Sequence, residues 1–357
     1  MLKIDRYIMQ RFLVGVLPVL ILLVALFSLL ALTQELEAVG EGDFKLPDAL
    51  MIIFLTIPKR VVELLPVTAL LGGLIGLGAM ANHHELMAIR ANGLSKRRIA
   101  MTVSVLAVML GVGITLLQFF VVPGFEREAA QLRGKALSGS EKNGGNSSAF
   151  WTRNGNYMIR VNGVRFDRTL ADIEIYSMDN NGGLTQMIQA RSADYAGDDN
   201  WLLNGVTHSE LKPPLVHEIV EDSLLWKNLL SQEQASVLVL PLEALAPHDL
   251  VQTIANLKRN DLNTQSYEIV LWQQISLLPG LLAMALLSLP FLLGSVRTVS
   301  ASQRAMVGGL IGIAFYLIQQ LSGQLAGLLG INPALVILTP SLILLALAIL
   351  VIRRRHL

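Results

Sequence analysis

His83-His84-Glu85, with Arg90 close behind, groups ligand-type and charged side chains between two long apolar runs. A zinc hydrolase requires a second histidine four residues on, across the same helix face. None is present, and Arg90 and Asn92 occupy the neighbourhood instead, so no metal site is indicated. Nucleotide chemistry has no better footing. Gly134-Lys135 is followed by Ala136 and lacks the upstream glycine of a phosphate-cradling loop. No serine, histidine and acid stand at a spacing that suggests a nucleophile. The chain reads as no enzyme, and nothing in it calls for a cofactor.

The residues from 82 to 93 suit a mechanical role instead. Asn82 is placed to cap a helix, and Glu85 stands three residues on, as in a capping box. Arg90 falls in the last turn and Gly93 can end the helix. Ser95 can then start the next one, with Lys96, Arg97 and Arg98 at a membrane edge. This pattern predicts a separate helix of about two turns, near residues 83–92. A plain connecting turn is the simpler alternative. A separate helix is what a membrane protein needs if something in the cytosol must push on it.

Two basic groups form a second chemical feature. Lys59 and Arg60 follow Pro58 where a span should reach the far membrane surface, and Arg127, Arg133 and Lys135 come soon after the next span ends. Cations at that depth are costly unless they meet an anion or snorkel to the interface. Lipid phosphates would suit them, because a guanidinium can grip two phosphate oxygens. Ordinary anchoring, or pairing with Glu63, Glu126 and Glu128, is the competing reading.

These residues must be positioned by apolar spans. Of the 357 residues 53% are hydrophobic, with a mean hydropathy of +0.54, high for a soluble protein. The apolar residues fall in blocks: Phe12–Thr33, Leu64–Ala81, Ile99–Val122, Ile269–Leu293, Met306–Leu329 and Ala334–Ile352. Each is near the ~20 residues that cross a bilayer. The second block can continue from Leu50–Ile57 through kinks at Pro58 and Pro66. The first is too long for a signal-peptide core and reads as an uncleaved anchor.

Charge orients the spans. With both ends inside, the cytosolic pieces hold twelve basic residues against two acids, Asp5 and Glu85, leaving 25 of the 27 acidic residues elsewhere. That bias is the positive-inside pattern. It is hidden in a net charge of +1, and it gives no reason to expect nucleic-acid binding.

The expected fold is therefore a polytopic α-helical membrane protein, six transmembrane helices arranged three and three, with an inserted periplasmic all-β, jelly-roll-like domain. Residues 1–122 carry the first three spans, 123–265 the periplasmic domain, and 266–357 the last three. Within the insert, Asn154-Gly155, Asn162-Gly163, Asn181-Gly182-Gly183 and Asn204-Gly205 read as turns. Tyr157–Val161, Asp172–Tyr176, Trp201–Leu203 and His217–Val220 read as strands, and residues 141–148 as a flexible lead-in. Leu250, Ile254 and Leu257 give residues 249–260 an amphipathic helical pattern. With no cysteine, the insert must be held by packing alone. Gly72-x-x-x-Gly76, Gly308-x-x-x-Gly312 and Gly323-x-x-x-Gly327 permit close helix approach.

Ile4-Asp5-Arg6-Tyr7-Ile8, Pro58-Lys59, the run from Leu65-Pro66 through Leu77-Gly78, and Glu85-Leu86-x-x-x-Arg90-Ala91-x-Gly93 together resemble the lipopolysaccharide-export permease family LptF/LptG. From Trp272 through Leu289, Gly294 and Arg297 to Asn332-Pro333 the chain is more similar to the LptG branch. The resemblance implies an ABC-type permease subunit of the bacterial inner membrane that extracts lipopolysaccharide from the outer leaflet. It implies a paralogous LptF subunit as partner, a dimer of the cytosolic ATPase LptB as motor, and LptC with the periplasmic bridge as acceptor. It assigns ATPase coupling to Glu85, Leu86, Ile89, Arg90 and Gly93, and substrate phosphate binding to Lys59 and Arg133. Where LptG proteins often carry lysines after the first span, this chain has Gln34, Glu35, Glu37 and Glu41.

Other readings stay open on the residues alone. One is the LptF-type subunit. Another is an envelope sensor or scaffold whose β domain binds a ligand, which needs no lipid path. A secondary transporter has only Glu63 as a membrane-embedded acid for ion coupling.

Overall fold

The computed structural model describes residues 3–137, 150–154, 157–164, 169–178, 183–197, 200–212, 215–227, 229, 242–259, 263–293 and 301–354. Among them, six helices are long and apolar enough to cross a membrane. The first is α1 (Lys3–Glu37). A short apolar helix, α2 (Leu46–Leu55), precedes the second span, α3 (Ile57–Asn82). The expected kinked continuity is thus a break at Thr56, with Pro58 in the first turn of α3, where its missing N–H costs nothing. Pro66 is accommodated inside α3.

After a seven-residue helix, α4 (Glu85–Ala91), the third span α5 (Lys96–Phe120) runs almost directly into α6 (Val122–Leu137). The last three spans are α8 (Gln265–Leu293), α9 (Ala301–Leu329) and α10 (Pro333–Arg354). The amphipathic helix returning to the bundle is α7 (Pro247–Arg259), with Leu250 and Ile254 buried. Residues 141–148 lie outside the described residues.

From Leu64 to Ala81 helix α3 is apolar all round and mostly buried, as such a stretch must be. It packs most closely on α1. A Cβ at Gly15 would lie 2.1 Å from the Gly72 carbonyl oxygen, and one at Gly76 would lie 2.2 Å from that of Arg11. The glycine pair of α3 therefore does bring two backbones together. Ile8, Phe12, Leu70, Leu77, Ile99, Val103, Met284 and Leu289 build the shared core with α5 and α8.

Six antiparallel strands form one sheet in sequential order: β1 (Phe150–Asn154), β2 (Tyr157–Val164), β3 (Leu170–Met178), β4 (Leu184–Gly197), β5 (Asn200–Lys212) and β6 (Leu215–Lys227). One face is buried, with Trp201, Ile159, Ile173, Ile175 and Leu203 at its heart. The four expected strands are present but longer, and β1 and β4 add to them. Two of the turn signals are corrected. Asn162-Gly163 lies inside β2, and Asn204-Gly205 lies inside β5, where Gly205 takes φ +63° while the register with both neighbouring strands is the same before and after it. There glycine adopts the left-handed backbone without ending or shifting the ladder.

Candidate functional site

At one end of the bundle, α4 is a separate helix, but its N-terminus differs from the capping-box expectation. Asn82 is the last residue of α3, and the chain reverses through His83 and His84, the latter at φ +61°. Glu85 opens α4 rather than standing at its third position. Its side chain is consequently free of capping and turns to another helix: the Tyr7 hydroxyl of α1 donates to Glu85 Oε2 at 2.9 Å, and Arg11 Nε donates to that hydroxyl at 2.9 Å. The far end behaves as expected, with Gly93 at φ +94° and Ser95 Oγ accepting from the Arg98 N–H.

The two faces of α4 divide the assigned residues. Leu86 is buried in the main core and Ile89 packs against it, which fixes α4 to its own bundle. Met87 and Ala88 are exposed and, with His84, Ala91, Leu94 and Lys96, line an open groove. The side chain of Arg90 lies outside the described residues. Beside this end, Arg98 donates to Asp5 at 3.2 Å and Thr102 donates to the same carboxylate at 3.1 Å, so α1 and α5 are also held together.

Toward the end of the bundle that joins the insert, the spans line a half-open cavity of about 660 Å³. Lys59, Arg60 and Glu63 of α3 line it beside Glu126 of α6. Gln273 and Gln274 of α8 face it, as do Gln319, Gln320 and Gln324 of α9. Buried amides in apolar spans are costly unless they find partners or water. Gln319 donates to Ser276, whereas its own carbonyl oxygen and that of Gln274 are buried without a hydrogen-bond partner among the described residues. Arg60 likewise has one buried guanidinium nitrogen without such a partner, although Glu63, Glu126 and Glu35 are near enough to act on its charge.

Lys59 and Arg133, both assigned to phosphate, pair with different carboxylates. Lys59 lines the cavity with Glu126 at 3.8 Å, while Arg133 lies on α6 against α1 and donates to Glu35 at 3.0 Å. The carboxylate after the first span is therefore already matched by a cation. Arg133 is about half exposed, whereas the Glu35 side chain is largely buried, with its other carboxylate oxygen without a hydrogen-bond partner among the described residues.

The glutamines are what the sequence reading left out, and Arg60 is a basic residue that it named without assigning it to the site. Arg60 adjoins Lys59, and five glutamines within two apolar spans are the available signal.

The family described as "Lipopolysaccharide export system permease LptF/LptG" matches residues 6–354. The lipopolysaccharide export system permease protein LptG of Haemophilus influenzae is 30% identical over 345 residues, covering 95% of each chain. That of Escherichia coli K12 is 28% identical over 340 residues, covering 95% of this chain and 94% of its own.

Proposed function

The chain belongs to the LptF/LptG family of lipopolysaccharide export permeases, and from that premise we propose that it is an LptG-type subunit driven by a separate cytosolic ATPase. In this reading it lies in the bacterial inner membrane with both termini and α4 in the cytosol and the β sheet in the periplasm. It extracts lipopolysaccharide from the outer leaflet and passes it to a periplasmic bridge that includes LptC. An LptF-type paralogue forms the other wall of the path, and an LptB-type ATPase dimer engages α4.

One observation carries the proposal. A short helix stands apart between two spans, presents Met87 and Ala88 outward, and is tied through Glu85 to Tyr7 of the first span. A push on α4 is thereby delivered to α1. At the opposite end, Lys59, Arg60 and the glutamines offer cations and amide donors to the phosphates and hydroxyls of a glycolipid head group. Arg133, at the adjoining edge of α1, adds a second cation for phosphate.

The test is gentle purification from the native membrane with mass spectrometry of what is retained, on wild type and Glu85→Lys. Wild type is expected to bring an ABC ATPase, a paralogous permease and lipopolysaccharide. The variant, which sets a cation against Arg11, is expected to lose the ATPase or to hydrolyse ATP without releasing lipid. Unchanged ATPase retention and unchanged lipid release in the variant would sink the coupling role.

A further inference from the structure

Arg304 is 4% exposed in the first turns of α9, yet its described contact is a single neutral acceptor: Nη2 donates to Asn82 Oδ1 at 2.6 Å. Its Nη1 is buried with no hydrogen-bond partner among the described residues. A buried guanidinium is expensive, and one carboxamide compensates it poorly. Stability alone would favour an apolar residue here, or an acid at position 82.

The location gives the pair another use. Asn82 ends α3 three residues before Glu85, at the reversal where His84 takes a left-handed backbone. A displacement of α4 relative to α3 passes through it. Helix α9 runs from Arg304 to the cavity wall at Gln319, Gln320 and Gln324, 15 to 20 residues on, or about 22–30 Å at the helical rise. Unlike α3, α8 and α10, α9 has no internal proline to absorb the motion. One side of α9 is exposed along Leu310, Ile313, Leu317 and Leu321, and at Gly312 a Cβ would come within 2.8 Å of Val67 of α3.

We infer that Arg304 is a positioning residue: its hydrogen bond to Asn82 is a latch that carries movement of the α4 turn into α9, and so to the cavity wall. The bond is neutral on one side because it must break and re-form. The inference rests on the reading of α4 as the element an ATPase drives.

Asn82→Asp separates a latch from a strut. It converts the contact to an ion pair, which a purely structural role should tolerate. In the purified full complex, reconstituted in proteoliposomes with lipopolysaccharide, Asn82→Asp is expected to raise the Tm while lowering lipid released per ATP by about tenfold, the scale of one charge-assisted hydrogen bond. Arg304→Met is expected to lower the same ratio with ATP hydrolysis retained, and Arg304→Lys to recover part of it. Wild-type release per ATP in Asn82→Asp, or in an accumulating Arg304→Met, overturns the inference. If Arg304→Met fails to accumulate, Asn82→Leu takes its place.

If wild type brings no ATPase or releases no lipid, the permease reading fails, and the latch is judged by distance instead. Spin labels at positions 83 and 306 of the full chain in membranes should give a narrow distribution in wild type and a broadened one in Arg304→Met. An unchanged distribution overturns the latch.

Discussion

Arg133 and Glu35 show how one contact changes the meaning of a residue. Each looks anomalous alone, a cation near the lipid interface and an acid where phosphates are expected, but at 3.0 Å they match each other. The proposed phosphate role then requires exchange of one anion for another on the same guanidinium. Arg133→Glu should therefore repel both Glu35 and lipid phosphate, and the lipopolysaccharide that co-purifies should fall severalfold. Adding Glu35→Arg restores a cation at the same edge and should recover much of it. If the double variant stays as poor as the single one, the position rather than the charge is what matters. Glu85 carries the same lesson. Released from capping, its carboxylate is available to Tyr7, and a local motif gives way to a contact 78 residues away in sequence.

At the scale of elements, helix proximity is decided by which glycine faces which backbone. Gly76 lies against the Arg11 carbonyl, whereas a Cβ at Gly113 of α5 would meet nothing within 4 Å. Gly76→Leu must force α1 off α3 and is expected to abolish accumulation of folded protein, or to lower its Tm by many degrees. Gly113→Ala should leave the Tm unchanged or slightly higher, since alanine is favoured over glycine in a helix by about 1 kcal/mol. Thermal unfolding of the two variants in detergent checks the contrast. A Gly76→Leu protein as stable as wild type would mean that α1 and α3 are not in backbone contact.

For the whole molecule, the proposed orientation puts α4 and the sheet on opposite sides of the membrane. The chain has no cysteine, so single cysteines report position without background. His84 and Glu218 are both exposed. A maleimide that cannot cross the inner membrane should label Glu218→Cys in spheroplasts, and His84→Cys only after lysis. The reverse pattern would place the basic loops outside, against the positive-inside bias, and would remove α4 from any cytosolic motor.

Six spans, an all-β insert and the existence of a helix between the second and third spans were legible in the residues. Span length, charge asymmetry and the glycine at position 93 act locally or along the chain, so a linear reading captures them. Strand lengths were less legible, because β4 and the longer β5 and β6 are strands chiefly through their ladders. An Asn-Gly pair also reads the same in sequence whether it ends a strand or, as at Asn204-Gly205, lies within one. Tertiary structure alone decided the rest: that Glu85 serves Tyr7, that Asn82 serves Arg304, that Glu35 matches Arg133, and that glutamines from two spans line one cavity. Each joins residues far apart in sequence, and in an apolar span the cost of burying a polar group is set by the partner that packing supplies.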